Sequence, residues 1–347
     1  MRIGDFKATY RHDEALFDTP VQRAWLAALA LALVAFPFVA GSYYVYLACL
    51  LGIHLVSATG LNIVTGYTGL ISLGQAAFMG VGCYTVAVAA KAGVPFWLAL
   101  PLAGAVSAAV GLVVGIPSLR IKGLYFAVAT LAAQFVLGFV FREWESVTGG
   151  VRGANVPAAA LGGFELSGEQ RLYFVIVPIA AVGLLAARNL FRTRVGRAFI
   201  AIRDRDISAE VLGISLFRYK LAAFAIGSFY AGVAGGLWGY FLRVATPEVF
   251  GFGQSIFYLA AIIVGGLGSI LGTILGATFM TLVPEVLRAA VGWIEAAGVA
   301  DAGVYLAAVR EVVFGLLILG FLVFEPHGLA EVWRRTRRFF HLWPFRT

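Results

Sequence analysis

Long apolar runs separated by short polar ones organise this chain. About 20 apolar residues in a helix cross the hydrocarbon core of a bilayer. By that measure ten spans are predicted, over 23–40, 43–64, 68–90, 95–116, 122–141, 171–190, 217–241, 254–269, 272–290 and 308–325. The eighth and ninth are short and meet at GGLGS (265–269), so they are either two spans or one broken, re-entrant pair. The runs are too long and too little alternating for the strands of a transmembrane barrel. The predicted fold class is an all-α polytopic membrane protein of about ten transmembrane helices.

Basic residues orient such a bundle, because Lys and Arg accumulate on the cytoplasmic side. Placing both termini in the cytoplasm puts 19 of the 26 Lys and Arg inside and leaves 7 outside or near outer helix ends. The predicted organisation is then a cytoplasmic segment 1–22, a transmembrane domain 23–330 and a basic cytoplasmic tail 331–347. Within the domain, 142–170 is a long outer loop, 291–307 a short surface helix and 191–216 an inner loop. The aromatic-rich tail, WRRTRRFFHLWPF, has the composition of an interfacial anchor.

Composition agrees. The 347 residues are 61% hydrophobic and 13% charged, with a mean hydropathy of +0.90; soluble domains carry about 25% charged residues. The net charge of +8 is a consequence of sidedness and predicts no nucleic-acid partner; the partner it does imply is the lipid bilayer. Cys49 and Cys83 fall in apolar runs and are expected to be buried and unpaired. The polar, charged first 20 residues argue against a cleavable signal peptide.

Three stretches could carry chemistry. The first, GLNIVTGYTGLISLGQAAFMGVG (60–82), mixes clustered glycines with Asn62, Thr65, Thr68, Ser72 and Gln75. Glycine clusters interrupt helices, and an interrupted helix frees backbone groups that can line a solute path. Packing of small residues with hydroxyls bonding across helices would give the same pattern. Thr130 and Gln134 share a face of the fifth span and are further path candidates. The second stretch, IVGGLGSILGTILGAT (263–278), repeats the glycine texture with Ser269 and Thr273. Two such interruptions in opposite halves are the pattern of an internal two-fold repeat.

The third is a charged island, Arg188 to Lys220, holding eight of the Lys and Arg together with Asp204, Asp206 and Glu210. It predicts a two-turn helix over 207–212, with Asp206 or Ser208 as N-cap and Gly213 as its stop. Ile207, Val211 and Leu212 would share a face, with Glu210 pointing elsewhere. Such a helix could fill a groove on a partner; an ordinary basic loop is the plainer alternative.

Five segments in order, 60–85, TGGVRGANVP (148–157), 201–240, 255–277 and FEPHGL (324–329), resemble the membrane permease of branched-chain amino acid ABC importers, of the LivM type. The resemblance covers most of the chain between about residues 45 and 330. It implies a permease of the bacterial inner membrane, working with ABC ATPase subunits, a second homologous permease and a periplasmic solute-binding protein. It makes 142–170 periplasmic and 191–216 a coupling loop, with Arg203, Asp204, Asp206, Glu210 and Gly213 facing the ATPase. Asn62, Thr65, Ser72 and Gln75, with Thr130 and Gln134, are the residues expected to border the translocation path, from their polar groups within apolar spans. After ISLG the family often carries His; this chain has Gln75, which does not titrate. Branched-chain amino acids are the leading solute, with urea, short amides and other small carboxylates as alternatives.

Other activities fit less well. There is no GxxxxGK[ST] phosphate loop, so ATP and Mg are expected on the partner ATPase and no cofactor on this chain. His12, His54, His327 and His341 are scattered and no metal site is predicted; His54 reads as a packed histidine bonding a neighbouring helix. A membrane transferase would need clustered acids or histidines, so no enzymatic role is expected. A stand-alone ion-coupled carrier would need intramembrane acids, and spans two to seven hold none well inside. Glu285 is expected at the outer interface, paired with Arg288 three residues on.

Overall fold

The computed structural model describes residues 20–119, 124–161, 164–165, 168–296 and 328–342, with 312, 315–316, 319–321, 323 and 325. Among these, helices occupy nine of the ten predicted spans; most of the tenth lies outside the described residues. Of the surface helix expected over 291–307, residues 291–296 instead continue the long helix before it and the rest lie outside the described residues. In chain order the helices are α1 Pro20–Val39, α2 Ser42–Leu61, α3 Gln75–Lys91, α4 Phe96–Ser118, α5 Leu124–Glu143, the single turn α6 Glu145–Thr148, α7 Glu169–Arg192, α8 Arg194–Asp204, α9 Asp206–Val211, α10 Leu216–Leu242, α11 Phe252–Gly265, α12 Ile270–Ala296 and α13 Leu329–Leu342. Six stretches are long and apolar enough to cross a bilayer: Ser42–Tyr67, Phe96–Ser118, Tyr125–Glu143, Glu169–Arg192, Leu216–Leu242 and Ile270–Ala289. The chain is an all-α polytopic membrane protein.

α10 is the central post and packs against α2, α3 and α4. Small residues make this contact close, as is usual where lipid removes the hydrophobic drive between helices. A Cβ on Gly235 would overlap the Met79 carbonyl oxygen, and Gly82 of α3 lies directly on the backbone of Gly232. The outward faces are apolar: Leu31 and Phe38 of α1, Val113 of α4 and Phe135 and Phe139 of α5 are exposed. In a soluble protein these would be liabilities; in a bilayer they are the lipid contact.

The predicted outer loop is knitted rather than free. β1 (Ala154–Asn155) pairs antiparallel with β4 (Val244–Ala245), in register Ala154↔Ala245, and so ties the loop to the end of α10. β2 (Ala160–Leu161) pairs with β3 (Phe164–Glu165). Glu285 pairs with Arg288 at 3.1 Å as expected, and the Tyr43 hydroxyl donates to the same carboxylate. Cys49 and Cys83 are buried and free.

Two differences from the expected spans matter. Residues 69–74 are not α-helical, so the third span begins at Gln75. α11 has 14 residues, roughly 21 Å at 1.5 Å per residue, short of the ~30 Å core. The eighth span is therefore a half-span that turns at 266–269 into α12.

Candidate functional site: two broken helices and a charged island

α2 does not end where its α-helical bonding ends. Asn62–Tyr67 continues it as a π-helical turn, and the chain then runs irregularly to Gln75. Gly69, at φ +73°, permits the turn that other residues would resist. Residues 62–68, Ser72 and Gly74 are buried in the bundle, where unpaired polar groups are costly, while Gly69 and Ile71 are exposed at its edge. Local hydroxyls meet part of the need: Thr65 Oγ1 donates to the Leu70 carbonyl at 3.1 Å, and the Thr68 hydroxyl donates to the Val64 carbonyl.

The first turn of α3 exposes backbone N–H groups in the interior, and neighbouring helices cap them. Ser255 Oγ of α11 accepts from Ala76 N at 2.9 Å, and Gln134 Oε1 of α5 accepts from Ala77 N at 2.9 Å. Thr130 Oγ1 accepts from Leu73 N at 3.0 Å, and Ser72 Oγ from Gly74 N at 3.5 Å. Gln134 spends its Nε2 on the Phe250 carbonyl at 2.7 Å. Gln75 Nε2 donates to the Ser57 carbonyl at 2.8 Å and to its hydroxyl at 3.2 Å, holding α3 against the middle of α2.

The second break, 266–269, meets the first through one side chain. Asn62 Oδ1 accepts from Gly268 N at 2.9 Å, while Nδ2 donates to Thr273 Oγ1 at 2.7 Å and to the Ser269 carbonyl at 3.1 Å. Gly66 leaves the room for this: a Cβ there would overlap Asn62 Oδ1. The two glycine-rich stretches are thus one site, stapled by an amide.

The island is two helices. α8 was not expected as a separate element. Thr193 caps it, accepting from Gly196 N at 3.4 Å, and Ala198, Phe199 and Ile202 are buried. Its signal was in the sequence: Val195, Ala198, Phe199 and Ile202 follow the i, i+3, i+4, i+7 spacing of an amphipathic helix. α9 corrects the predicted cap. Extended Arg205 holds the N-cap position with no side-chain bond, and Asp206 is the first helical residue, its Oδ1 accepting from Ile207 N at 2.9 Å and its Oδ2 4.0 Å from Lys220 Nζ. Gly213 does stop the helix. At φ +85° it donates to the Glu210 carbonyl (2.9 Å) while Ile214 N reaches Ala209 O (3.0 Å), the paired bonds of a Schellman end. Glu210 is exposed, and Ile207, Val211 and Leu212 stand in the open, 73%, 82% and 80% exposed.

Arg203 joins the island to the breaks. Its Nη1 donates to the Gly66 carbonyl at 3.1 Å and lies against Gly268, while its Nε bonds Asp204 Oδ1 at 3.0 Å. Asn62, Thr65, Ser72, Gln75, Thr130 and Gln134 are all buried and bonded within the chain. Ser57, Ser255, Ser269 and Thr273 complete the seam. Sequence reasoning gave Ser57 and Ser255 no weight, because nothing local distinguishes a capping serine from any other. His54 is packed as expected: Nδ1 lies 2.9 Å from Thr281 Oγ1, with Trp238, Phe257 and Tyr258 around the ring. Thr281 gives its own proton to the Ala277 carbonyl, so His54 is the donor.

The seam consists of neutral amides and hydroxyls. Among the described residues no three His, Cys, Asp or Glu gather as metal ligands, and no Asp or Glu is buried. It can offer hydrogen bonds to a small polar solute. A polytopic bundle with two interrupted helices and an exposed capped helix defines a membrane-transport class of protein.

Comparison with known proteins places the chain within that class. Residues 43–322 match the family described as "Branched-chain amino acid transport system / permease component", and the chain belongs to that family. It is 34% identical over 296 residues to the high-affinity branched-chain amino acid transport system permease protein LivM of Salmonella typhimurium, covering 78% of this chain and 70% of the relative. It is 26% identical to the probable branched-chain amino acid transport permease protein LivH of Methanocaldococcus jannaschii, over 81% of this chain and 90% of that one. It is 28% identical to the autoinducer 2 import system permease protein LsrC of an Enterobacter species, over 44% of this chain and 43% of the relative. No solved structure matches the chain at a significant level. The chain is a transport permease and not itself an enzyme.

Proposed function

We propose that the chain is the permease subunit of an ATP-binding-cassette importer of the bacterial inner membrane. It has about ten membrane segments, the eighth of them a half-span, with both termini in the cytoplasm and two halves related by an internal repeat. A second homologous permease completes the path, a periplasmic binding protein delivers the solute, and ATP with Mg is bound by partner ATPases. α9 carries the proposal. A six-residue helix with a Schellman end and three apolar side chains in the open is shaped to be covered by another protein. Asp204, Asp206 and Glu210 set the polar edge of that contact, and Arg203 passes its movement to the broken helices.

The path runs along the seam of Asn62, Thr65, Ser72, Gln75, Thr130 and Gln134, opened when the island moves. In the closed arrangement these groups are satisfied by other backbone and side-chain groups of the chain; in the open one, each freed bond becomes available to solute or water. Cysteines placed at Ser72, Gln75 and Gln134 are expected to react with hydrophilic thiol reagents in at least one nucleotide state of the assembled transporter. Inertness at all three in every state would make them packing residues.

The leading solute is a branched-chain amino acid. A permease named for autoinducer 2 import is among the similar proteins, so similarity alone is not taken to select the solute, and the binding protein is expected to do most of that. Proteoliposomes provide the test. Leucine uptake should require the ATPase, the second permease and the binding protein together, and should be absent from the chain alone under any ion gradient. Gradient-driven uptake by the chain alone would establish a secondary carrier instead, and urea uptake without leucine uptake would move the solute class.

A further inference from the structure

At the end of the bundle that carries the island, a cavity of about 650 Å³ lies between the ends of α7 and α8, the turn before α12 and the start of α13. Arg188, Arg203 and Arg334 line it, one from each of three helices, with Tyr67 and Ser269 as the other polar side chains and no carboxylate in the lining. Carboxylates are close by but turned away. Asp204 pairs with Arg203 at 3.0 Å and its side chain is 61% exposed, and Glu331 pairs with Arg334 at 2.8 Å; neither lines the cavity. Each guanidinium has five N–H donors, so Arg203 and Arg334 keep donors beyond those pairs. Asp204 and Glu331 neutralise Arg203 and Arg334 in part, but they do so from outside the lining, so the cavity itself presents guanidinium groups from three helices and no carboxylate, a setting that favours an anion. α12 also begins on the cavity, through Ile270 and Leu271, and adds the positive end of a 27-residue helix.

We propose that this cavity binds a phosphate oxyanion, supplied by an anionic phospholipid headgroup or by free phosphate. Guanidinium forks match phosphate oxygens in geometry as well as charge. α13 brings the site to headgroup level: exposed Trp333 and Phe339 beside Arg335, Arg337 and Arg338 make it a helix suited to the membrane surface. Bound phosphate would tie α8, the second break and α13 together, and so would hold the island in its closed position. The proposal is independent of the transported solute, since binding is read on the permease alone.

The full-length chain in phosphatidylcholine nanodiscs, in phosphatidylglycerol nanodiscs, and in phosphatidylcholine nanodiscs titrated with inorganic phosphate separates the two sources. Melting midpoint and native mass spectrometry of retained lipid are the readouts. At least one anion is expected to raise the midpoint and to be retained. The pair Arg188→Gln/Arg334→Gln should weaken that binding about thirtyfold, about fivefold for each arginine removed. Arg188→Lys/Arg334→Lys keeps the charge and should retain most of it, separating lost binding from lost folding. Arg337→Gln/Arg338→Gln, outside the cavity, should leave it within about twofold if the site rather than overall charge is responsible. No effect of either anion, or equal loss in the Arg337/Arg338 pair, overturns the proposal.

Discussion

Gly213→Pro is expected to reduce ATP-driven uptake to background while the permease still inserts and folds. Proline is held near φ −65° and has no N–H, whereas Gly213 sits at +85° and donates to the Glu210 carbonyl. The Schellman end is lost and α9, with six residues, has too few other bonds to persist alone. The change is confined to an exposed element, since nothing lies within 4 Å of where a Gly213 side chain would begin. Gly213→Ala keeps the N–H and meets only the left-handed backbone penalty, roughly 1–2 kcal/mol, so it should retain intermediate uptake. Glu210→Lys reverses an exposed charge on the same helix and should lower ATPase association without altering the helix. Co-purification of the ATPase, measured beside uptake, checks all three. Wild-type uptake by both Gly213→Pro and Glu210→Lys would remove α9 from coupling.

Asn62→Leu is expected to destabilise the permease by roughly 1–3 kcal/mol, the cost of a buried polar group left without a partner. The two acceptors of Nδ2 keep other partners: the Ser269 carbonyl still accepts from Thr273 N, and Thr273 Oγ1 still donates to that carbonyl. The Gly268 N–H has no such substitute, because Asn62 Oδ1 is its acceptor. Leucine keeps the branched shape but is bulkier, so crowding against Gly66 adds to the lost hydrogen bonding. A lower melting midpoint in detergent, with the breaks loosened from each other, is the expected result. Thr273→Val is the companion: it removes one acceptor of Asn62 but leaves Gly268 satisfied, and should cost less. An unchanged midpoint for Asn62→Leu would mean that the breaks are held by their glycine packing alone.

Much of the site was legible as residue choice and little of it as geometry. Asn62, Gln75 and Gln134 drew attention because amides inside apolar runs are costly and must bond to something. Which partners they find could not be read, since the partners lie far along the chain: Gln134 with Ala77 and Ser255, and Asn62 with Gly268 and Thr273. The same distance hid the role of Arg203. As one basic residue among eight in the island it follows from sidedness, but its bond to Gly66, 137 residues away, makes it the contact between island and breaks. α8 was legible from its apolar spacing and went unread behind the charge around it. The N-cap of α9 was misread because Asp206 suits either the cap or the first turn, and Lys220 draws it into the first turn.

The sequence by itself determined what kind of solvent the chain lives in, where its helices lie, that two of them are interrupted, and that a short capped helix ends at Gly213. Those properties depend on local hydropathy, glycine content and cap chemistry, which a helix in lipid expresses without help from distant residues. Only the tertiary structure decided that the two interruptions are one site, that α11 is a half-span, that helix α3 is capped by α5 and α11, and that Arg203 connects this site to the island. Each of these is a hydrogen bond or a backbone contact between segments far apart in the chain. The physical reason is common to all: backbone groups freed by a broken helix cannot turn to water inside a bilayer, so their partners are set by which helices pack beside the break.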